Sequence, residues 1–321
     1  MNITLLGWAH VHAESYARCL ADLPDVTLTA IFDRDAHERP PWAGPGVCIA
    51  PTLEEAIEPA DAVVIASANS DHKELAIVAA RAGRHVLCEK PLATTISDAR
   101  AMIEAAREAG VVLATALPVR FVPAVASAWR AVRAGTYGRI LAFSGANNGQ
   151  VPGPAWFTDP QRAGGGAVMD HTVHVADLMR WFLQDEVQEI YAEIDTLMHD
   201  IRVDDVGVLS VRFAGGAIGT IDASWNRPAA YPSWGGLELR IVAEGGVIDI
   251  DAFAQRLTVY GRGGAAWVDW GSDANRAMLH AFGRACQGQP TLLATGEDGL
   301  EALKFVHMAY ESAKSGAPAH V

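Results

Sequence analysis

The sequence is poor in cysteine and in basic residues, and both shortages exclude classes of protein. Its four cysteines, at positions 19, 48, 88 and 286, form no Cys-x-x-Cys pair. Scattered thiols of this kind indicate a reducing compartment rather than a disulfide framework. Acidic residues outnumber basic ones, 38 to 25, for a formal net charge of −13. Such a chain repels a phosphate backbone and has no polybasic patch, so we expect neither a nucleic-acid nor a membrane partner.

Segments that direct a chain to a membrane are also missing. The first ten residues contain no basic stretch followed by an apolar run and a small-residue cleavage site. No apolar run elsewhere approaches the ~18 residues that a membrane-spanning helix needs. With 50% hydrophobic and 20% charged residues, the chain can instead bury sizeable cores. We expect a globular, cytoplasmic protein.

The pattern of apolar residues divides the chain near Pro118. Residues 1–118 alternate short β-branched runs with helical stretches, a pattern typical of a parallel sheet covered on both faces. From about residue 187, hairpin-like strands turn on Gly-Gly pairs, which favours an antiparallel sheet. We therefore predict an α/β protein with a doubly wound Rossmann domain over 1–118. An α+β domain with a large, mostly antiparallel sheet should follow over 119–321, for substrate binding and oligomerisation.

A glycine-led loop follows the first predicted strand. Gly7, Ala9 and His12 occupy the three glycine positions of the dinucleotide fingerprint G-x-G-x-x-G, and only the first is a glycine. The loop therefore also fits an ordinary strand-to-helix turn. Asp33 lies 26 residues after Gly7 at the end of the second strand, near the spacing of an acid that binds a ribose 2′-hydroxyl, although it also fits a turn cap. We expect NAD as cofactor. Because Arg34 beside Asp33 could instead bind a 2′-phosphate, NADP stays an alternative.

Two further elements carry chemistry-bearing side chains. Glu89 and Lys90 end the fifth strand, at the sheet edge where doubly wound folds bind ligands, although a solvated strand-end lysine is the ordinary alternative. After three glycines, a predicted helix carries Asp170, His174 and Asp177 in one polar stripe, with His171 pointing elsewhere.

That polar stripe fits an acid/base site, a metal site, a structural Asp-His pair or a charged helix start. A metal site requires three or four converging ligands, and only Asp170 and His174 share a face without another paired His or Cys motif nearby. We therefore expect no metal. The other interpretations stay open on these residues alone.

These elements, in order, resemble the Gfo/Idh/MocA family (glucose-fructose oxidoreductase, inositol dehydrogenase, rhizopine catabolism) of nicotinamide-dependent oxidoreductases. The resemblance covers essentially the whole chain, including the terminal stretch 297–316. It implies catalytic roles for Lys90, Asp170 and His174. It also places Asp33, Asn69, His72 and Glu89 near the dinucleotide. Ala9 and His12 replace expected glycines, and Thr172 stands where the family often has glycine, which implies an altered substrate pocket.

The implied chemistry is hydride transfer between nicotinamide and a hydroxyl-bearing carbon. His174 would act as general base, and Lys90 would stabilise the developing alkoxide or share the proton relay. Asp170 would hold the tautomer of His174 or bind a neighbouring hydroxyl. Backbone at residues 164–166 would approach the ligand closely, because glycine has no side chain. The chain has no arginine cluster for a phosphorylated substrate, so we expect a neutral sugar, cyclitol or related polyol.

The expected contacts follow from these assignments. The cofactor would be bound by Gly7, Ala9, His10, Val11, His12, Asp33, Arg34, Ser67, Asn69, His72, Glu89 and Lys90. The substrate would be bound by Lys90, Arg120, Asn147, Trp156, Asp170, Thr172 and His174, with Asn148 as a further amide. Two alternatives remain: a dinucleotide-binding sugar sensor, and a redox-neutral lyase or glycosidase that uses transient oxidation. An open antiparallel face in the second domain favours a homo-oligomer, a dimer or tetramer.

Overall fold

The computed structural model describes residues 1–35, 38–44, 46–261 and 264–321. They form two compact units. The first comprises Met1–Pro118, Pro152–Gly164 and Asp273–Leu300, and the second comprises Val119–Val151, Gly165–Ser272 and Glu301–Val321. The first unit thus includes two segments that the sequence analysis assigned to the second domain.

Strands and helices are numbered in chain order. The strands are β1 (Asn2–Leu6), β2 (Thr27–Phe32), β3 (Cys48–Ile49), β4 (Ala62–Ile65), β5 (His85–Glu89), β6 (Leu113–Ala116), β7 (Ile140–Gly149), β8 (Val187–Asp195), β9 (Val206–Phe213), β10 (Ile218–Asp222), β11 (Gly235–Ala243), β12 (Gly246–Asp251), β13 (Arg256–Gly261), β14 (Gly264–Asp269), β15 (Ala294–Thr295) and β16 (Ala319–His320). The helices are α1 (Ala13–Ala21), α2 (Leu53–Ile57), α3 (His72–Arg81), α4 (Ile96–Ala109), α5 (Pro123–Arg133), α6 (Pro160–Ala163), α7 (Ala167–Leu183), α8 (Ala274–Cys286) and α9 (Gly296–Ser315).

The first unit contains a seven-stranded sheet in the order β15-β6-β5-β4-β1-β2-β3. Strands β1 to β6 pair in parallel, and β1 lies between β2 and β4. All four residues of β4 are buried, as the continuous apolar run Ala62–Ile65 requires of a strand covered on both faces. The predicted doubly wound Rossmann sheet is confirmed.

The two later segments join this unit through specific contacts. Strand β15 pairs antiparallel with β6 and forms one edge of the sheet. Helix α8 packs against α1, where Asn275 Nδ2 donates to Ser15 Oγ at 3.1 Å. In the segment 152–164, Trp156 Nε1 donates to the carbonyl of Ala9 at 2.9 Å. The local sequence pattern does not show such pairings, because the partners lie far apart in the chain.

The second unit contains a seven-stranded sheet in the order β12-β11-β7-β10-β9-β8-β16. Every neighbouring pair is antiparallel except β7 and β10, so the predicted mostly antiparallel sheet is confirmed. Helix α7 packs on one face of β7, where the glycine at 145 leaves room for Val175 and Met179. Strands β13 and β14 form a separate hairpin. Its predicted Gly-Gly turn falls partly on residues 262–263, which are outside the described ranges.

Two further properties bear on the expectations from composition. All four cysteines are free thiols. In the described part of the chain, no helix combines the length and the apolar character needed to cross a membrane.

Candidate active site

The glycine-led loop of the first unit is held by Asp33. Gly7 has φ +82°, and a Cβ at this position would lie 2.6 Å from Ser67, so both the backbone conformation and the space favour glycine. The next residue, Trp8, donates its N–H to Asp33 Oδ2 at 2.7 Å. The N–H of Asp35 donates to Asp33 Oδ1 at 2.8 Å. Asp33 therefore caps the turn after β2 and also supports the fingerprint loop.

An open cleft lies at the carboxyl ends of β1, β2 and β4. It is lined by Gly7, Ala9, Phe32, Asp33, Arg34, Asp35, Ser67, Ala68, Asp71, Leu75 and Arg162. Both arginines are ion-paired: Arg34 lies 2.8 Å from Glu74, and Arg162 lies 2.8 Å from Asp35. The local charge therefore suits a ribose hydroxyl better than a 2′-phosphate.

The surroundings of this cleft fit a dinucleotide. Helix α1 begins after His12 without a side-chain cap, so its first N–H groups suit a phosphate. Val11, also in the loop, is exposed. Asn69 is buried, and its Nδ2 donates to the carbonyl of Ala163 at 2.8 Å. Within the described ranges its Oδ1 has no hydrogen-bond partner, so it is a buried acceptor suited to a nucleotide donor.

A buried carboxylate, Glu89, contacts several of the predicted cofactor residues. Its Oε1 lies 2.8 Å from His12 Nδ1 and 3.5 Å from His10 Nδ1, and its Oε2 accepts from the N–H of Lys90 at 3.0 Å. Tyr16, which the sequence analysis did not single out, donates to Oε1 at 2.5 Å. Burial raises the pKa of Glu89, but the two imidazoles and the Lys90 ammonium outweigh it and hold the pKa well below its usual range.

The same cluster has the composition of a metal site. The ligand atoms of His10, His12 and Glu89 all lie within 4.8 Å of one another. However, the backbone N–H of His12 donates to His10 Nδ1 at 3.2 Å, which occupies the lone pair that a metal would need. The geometry therefore favours a hydrogen-bonded network at this cluster.

Lys90 follows directly after β5, at the carboxyl edge of the sheet, and is buried. Its peptide bond to Pro91 is cis. His72, at the start of α3, is fully buried, and its Nδ1 lies 3.0 Å from the carbonyl oxygen of Pro91. Burial lowers the pKa of His72, so its imidazole is neutral over a wider pH range than usual. His72 thus supports the backbone next to Lys90.

In the second unit, Asp170 and His174 lie one turn apart on α7 and are 5% and 9% exposed. Asp170 Oδ2 lies 3.2 Å from His171 Nε2 and accepts from Trp225 Nε1 at 3.2 Å. The expectation that His171 points away from this carboxylate is wrong. His171 and Trp225 are therefore part of the site, and neither was selected from the sequence.

A side chain at any of the three glycines before α7 would come too close to neighbouring protein atoms. The carboxylate of Asp204 accepts from the N–H of Gly166 at 2.9 Å and from the N–H of Val168 at 2.8 Å. Its backbone carbonyl accepts from the N–H of Ala167 at 2.8 Å. Tyr310 donates to the same carboxylate at 2.8 Å. A Cβ at Gly166 would overlap Asp204. Gly166 therefore accommodates Asp204, a role that the expectation of a close ligand approach did not include.

Two predicted substrate residues, Arg120 and Asn147, have protein partners in the second unit. Arg120 donates Nε to Asp177 Oδ2 at 2.8 Å and makes a second contact with the other oxygen, and both side chains are buried. Asn147 Nδ2 donates to the carbonyl of His171 at 3.0 Å. Thr172 is fully buried. Asn148 lines an open cleft of about 680 Å³ with Ala146, Asn226, Arg227, Pro228, Tyr231, Gly236 and Glu238.

Trp156 belongs to the first unit and is 6% exposed. Its ring stacks on Phe157 with a centroid distance of 3.8 Å, and its Nε1 donates to Ala9. These contacts give Trp156 a role in supporting the fingerprint loop. Its contact with a substrate stays a prediction.

Comparison with known proteins agrees with these features. Residues 1–117 match the profile of the oxidoreductase family with an NAD-binding Rossmann fold, and residues 125–267 match the GFO/IDH/MocA C-terminal domain. The chain is 34% identical over 269 residues to 1,5-anhydro-D-fructose reductase of Ensifer adhaerens, covering 81% of this chain and 80% of that protein. It is 35% identical over 175 residues to myo-inositol 2-dehydrogenase of Thermotoga maritima, covering 53% and 51%.

A solved structure extends this likeness over the whole chain. The crystal structure of GenD2 from gentamicin A biosynthesis in complex with NAD superposes with a TM-score of 0.90 at 26% identity, covering 100% of this chain and 96% of that one. The nucleotide-binding unit is thus of the NAD-binding type. With both of its domains matched, the chain belongs to the Gfo/Idh/MocA family of oxidoreductases.

Proposed function

We propose that this protein is an NAD-dependent dehydrogenase that acts on a hydroxyl-bearing carbon of a sugar, cyclitol or related polyol. One observation carries the proposal: α7 holds Asp170 and His174 one turn apart and buried, in a chain whose NAD-binding unit has Lys90 directly after β5. Named relatives include a reductase of 1,5-anhydro-D-fructose and a dehydrogenase of myo-inositol, which supports this substrate class.

Each side chain has a role that its chemistry suits. Bound NAD supplies the hydride acceptor. His174 takes the proton of the reacting hydroxyl, because an imidazole titrates near neutral pH. Lys90 stabilises the negative charge that develops on the oxygen. Asp170 orients His174 or binds a neighbouring hydroxyl. In the first unit, Asp33 and the uncapped start of α1 bind the ribose and the diphosphate.

We further infer that the protein is a cytoplasmic homo-oligomer. The second sheet alternates buried and exposed residues along β9, and leaves Val208 on that strand and Ile218 on β10 about half exposed. Apolar residues on an open sheet face favour association with another copy. The free thiols of all four cysteines suit a reducing compartment.

A substrate screen tests the proposal. Purified protein is incubated with NAD and a panel of unphosphorylated sugars, cyclitols and polyols, and NADH is followed by absorbance. We expect at least one of them to give sustained NADH formation. NAD binding without any turnover would favour a sensor. Conversion of a glycoside or sugar without net NADH would indicate transient oxidation.

A further inference from the structure

His171 contacts the carboxylate to which we assign a catalytic role. Its Nε2 lies 3.2 Å from Asp170 Oδ2, and Trp225 Nε1 donates to the same oxygen. Consecutive residues on a helix point about 100° apart and do not normally face each other. Some other feature of the fold must therefore hold the imidazole against Asp170.

Those features come from β7 and from the connection between β10 and β11. His171 is 2% exposed, and Asn147 on β7 binds its carbonyl. The rings of Trp225 and Trp234 stand edge-on to the imidazole, with centroid distances of 6.4 and 6.2 Å. At the end of β7, a Cβ on Gly149 would lie 2.9 Å from His171 Cε1. The imidazole thus has a fitted pocket that depends on glycine at 149.

We infer that His171 is a positioning residue for the reaction, acting through Asp170 and together with Trp225. With its proton on Nε2, His171 gives Asp170 Oδ2 a second donor beside the indole N–H of Trp225, and two donors restrict rotation of the carboxylate. Asp170 is then presented in one orientation to His174 or to a substrate hydroxyl. This inference rests on the proposed function, because it takes Asp170 to be a catalytic group.

The kinetic test compares His171→Gln with His171→Leu. A glutamine amide can replace the Nε2–H donor, whereas leucine has similar bulk and no donor. On a confirmed substrate, we expect His171→Leu to lower kcat/KM by about 10-fold or more, as for loss of a hydrogen bond to a charged group. His171→Gln should recover most of that loss, and the dissociation constant for NAD should not change. Equal activity of the leucine variant and the unmodified enzyme would overturn the inference.

A second pair of variants leaves His171 itself in place. Gly149 and Gly235 are direct partners across β7 and β11. A Cβ at 149 would lie 2.9 Å from the imidazole and 3.2 Å from the carbonyl oxygen of Trp234, whereas a Cβ at 235 meets only a backbone oxygen at an ordinary 3.7 Å. We therefore expect Gly149→Ala to lower kcat/KM and Gly235→Ala to leave it within about twofold. The same small effect for both variants would contradict a fitted pocket for His171.

NMR tests the contact between His171 and Asp170 independently of turnover. In protein labelled with ¹⁵N-histidine, the His171 signal is assigned by its loss in His171→Gln. We expect Asp170→Asn and Trp225→Phe to shift it, and an unchanged signal in both would overturn the contact. If the signal shifts but Asp170→Asn and His171→Leu both turn over a confirmed substrate normally, the contact stands and the catalytic role of Asp170 is wrong. Absence of turnover in the unmodified protein would overturn the proposed function and the kinetic role of His171 with it.

Discussion

The backbone N–H of Trp8 donates to Asp33 Oδ2 at 2.7 Å, so one carboxylate both supports the fingerprint loop and lines the nucleotide cleft. Both of its oxygens accept backbone N–H groups, because Asp35 N–H binds Oδ1. The structure thus shows the turn-cap role of Asp33. Ribose binding, the other role that the sequence offers, stays a prediction.

We expect NAD to bind more tightly than NADP, because the Asp33 carboxylate repels a 2′-phosphate. Asp33→Ala should weaken NAD binding by about 10-fold and reduce the preference for NAD, since it removes both the ribose acceptor and a loop contact. Titration calorimetry with each dinucleotide measures both effects. Glu54→Ala, an exposed change on α2, is the control and should leave affinity unchanged. Tighter binding of NADP would show that Asp33 is wrongly assigned.

His12 stands at the start of α1, and we expect it to lie beside the cofactor phosphates. His12→Gly should then weaken NAD binding by about two- to tenfold, the effect of one lost hydrogen bond, while circular dichroism shows an intact fold. The exposed change Glu54→Ala on α2 again serves as the control. If His12→Gly unfolds the protein and has no separate effect on NAD affinity, the contact of His12 with Glu89 is structural.

The proposed catalytic residues should differ in how they affect turnover. His174→Ala should lower kcat by about 10² to 10⁴-fold, as expected for loss of a general base, with little change in NAD affinity. Lys90→Met should be comparably damaging. Asp170→Asn should act more on substrate affinity than on the chemical step. His280→Ala, on the exposed side of α8, provides a histidine control. Near-normal turnover by His174→Ala would mean that the proton leaves by another route.

His72 predicts a pH dependence of stability. Burial lowers its pKa below the usual 6.5, so the folded state binds this proton less readily than the unfolded state. Its contribution to stability is therefore present above pH ~6.5 and is lost as the pH falls through the lower folded pKa, by at most ~1.4 kcal/mol per pH unit. His72→Asn keeps a donor for Pro91 but cannot titrate. Urea unfolding at about pH 7.5 and 5.5 should show a smaller decrease for this variant than for the unmodified protein.

Asp204 should matter for the stability of the second unit. Burial raises its pKa, although hydrogen bonds from Val168, Tyr310 and Gly166 oppose that effect. Asp204→Asn keeps the size but loses an acceptor for the start of α7, and we expect it to lower the free energy of unfolding by about 1–3 kcal/mol. Urea denaturation measures the change, with the exposed Asp200→Asn as control. No difference between the two variants would contradict a capping role.

The sequence predicts what depends on local order and leaves out what depends on distant partners. Continuous apolar runs and paired glycines predict both sheets, because a strand's burial is visible in its own residues. The spacing of Asp170 and His174 likewise places them on one helical face. However, Asp204 lies 38 residues from Gly166, and Tyr16 lies 73 residues from Glu89. No local period connects such pairs, so the cap of α7 and the fourth partner of Glu89 became visible only in the fold.

The discontinuous first unit also affects how the protein is made. Strand β15 and helix α8, which complete the edge of the first sheet and cover α1, lie within Asp273–Leu300. A nascent chain that has emerged only to Pro118 lacks both, so its nucleotide-binding unit cannot reach its final packing while the rest is still being translated. The NAD-binding unit is therefore completed only after residues 273–300 have been made, and a fragment ending at residue 118 lacks the helix that packs on α1.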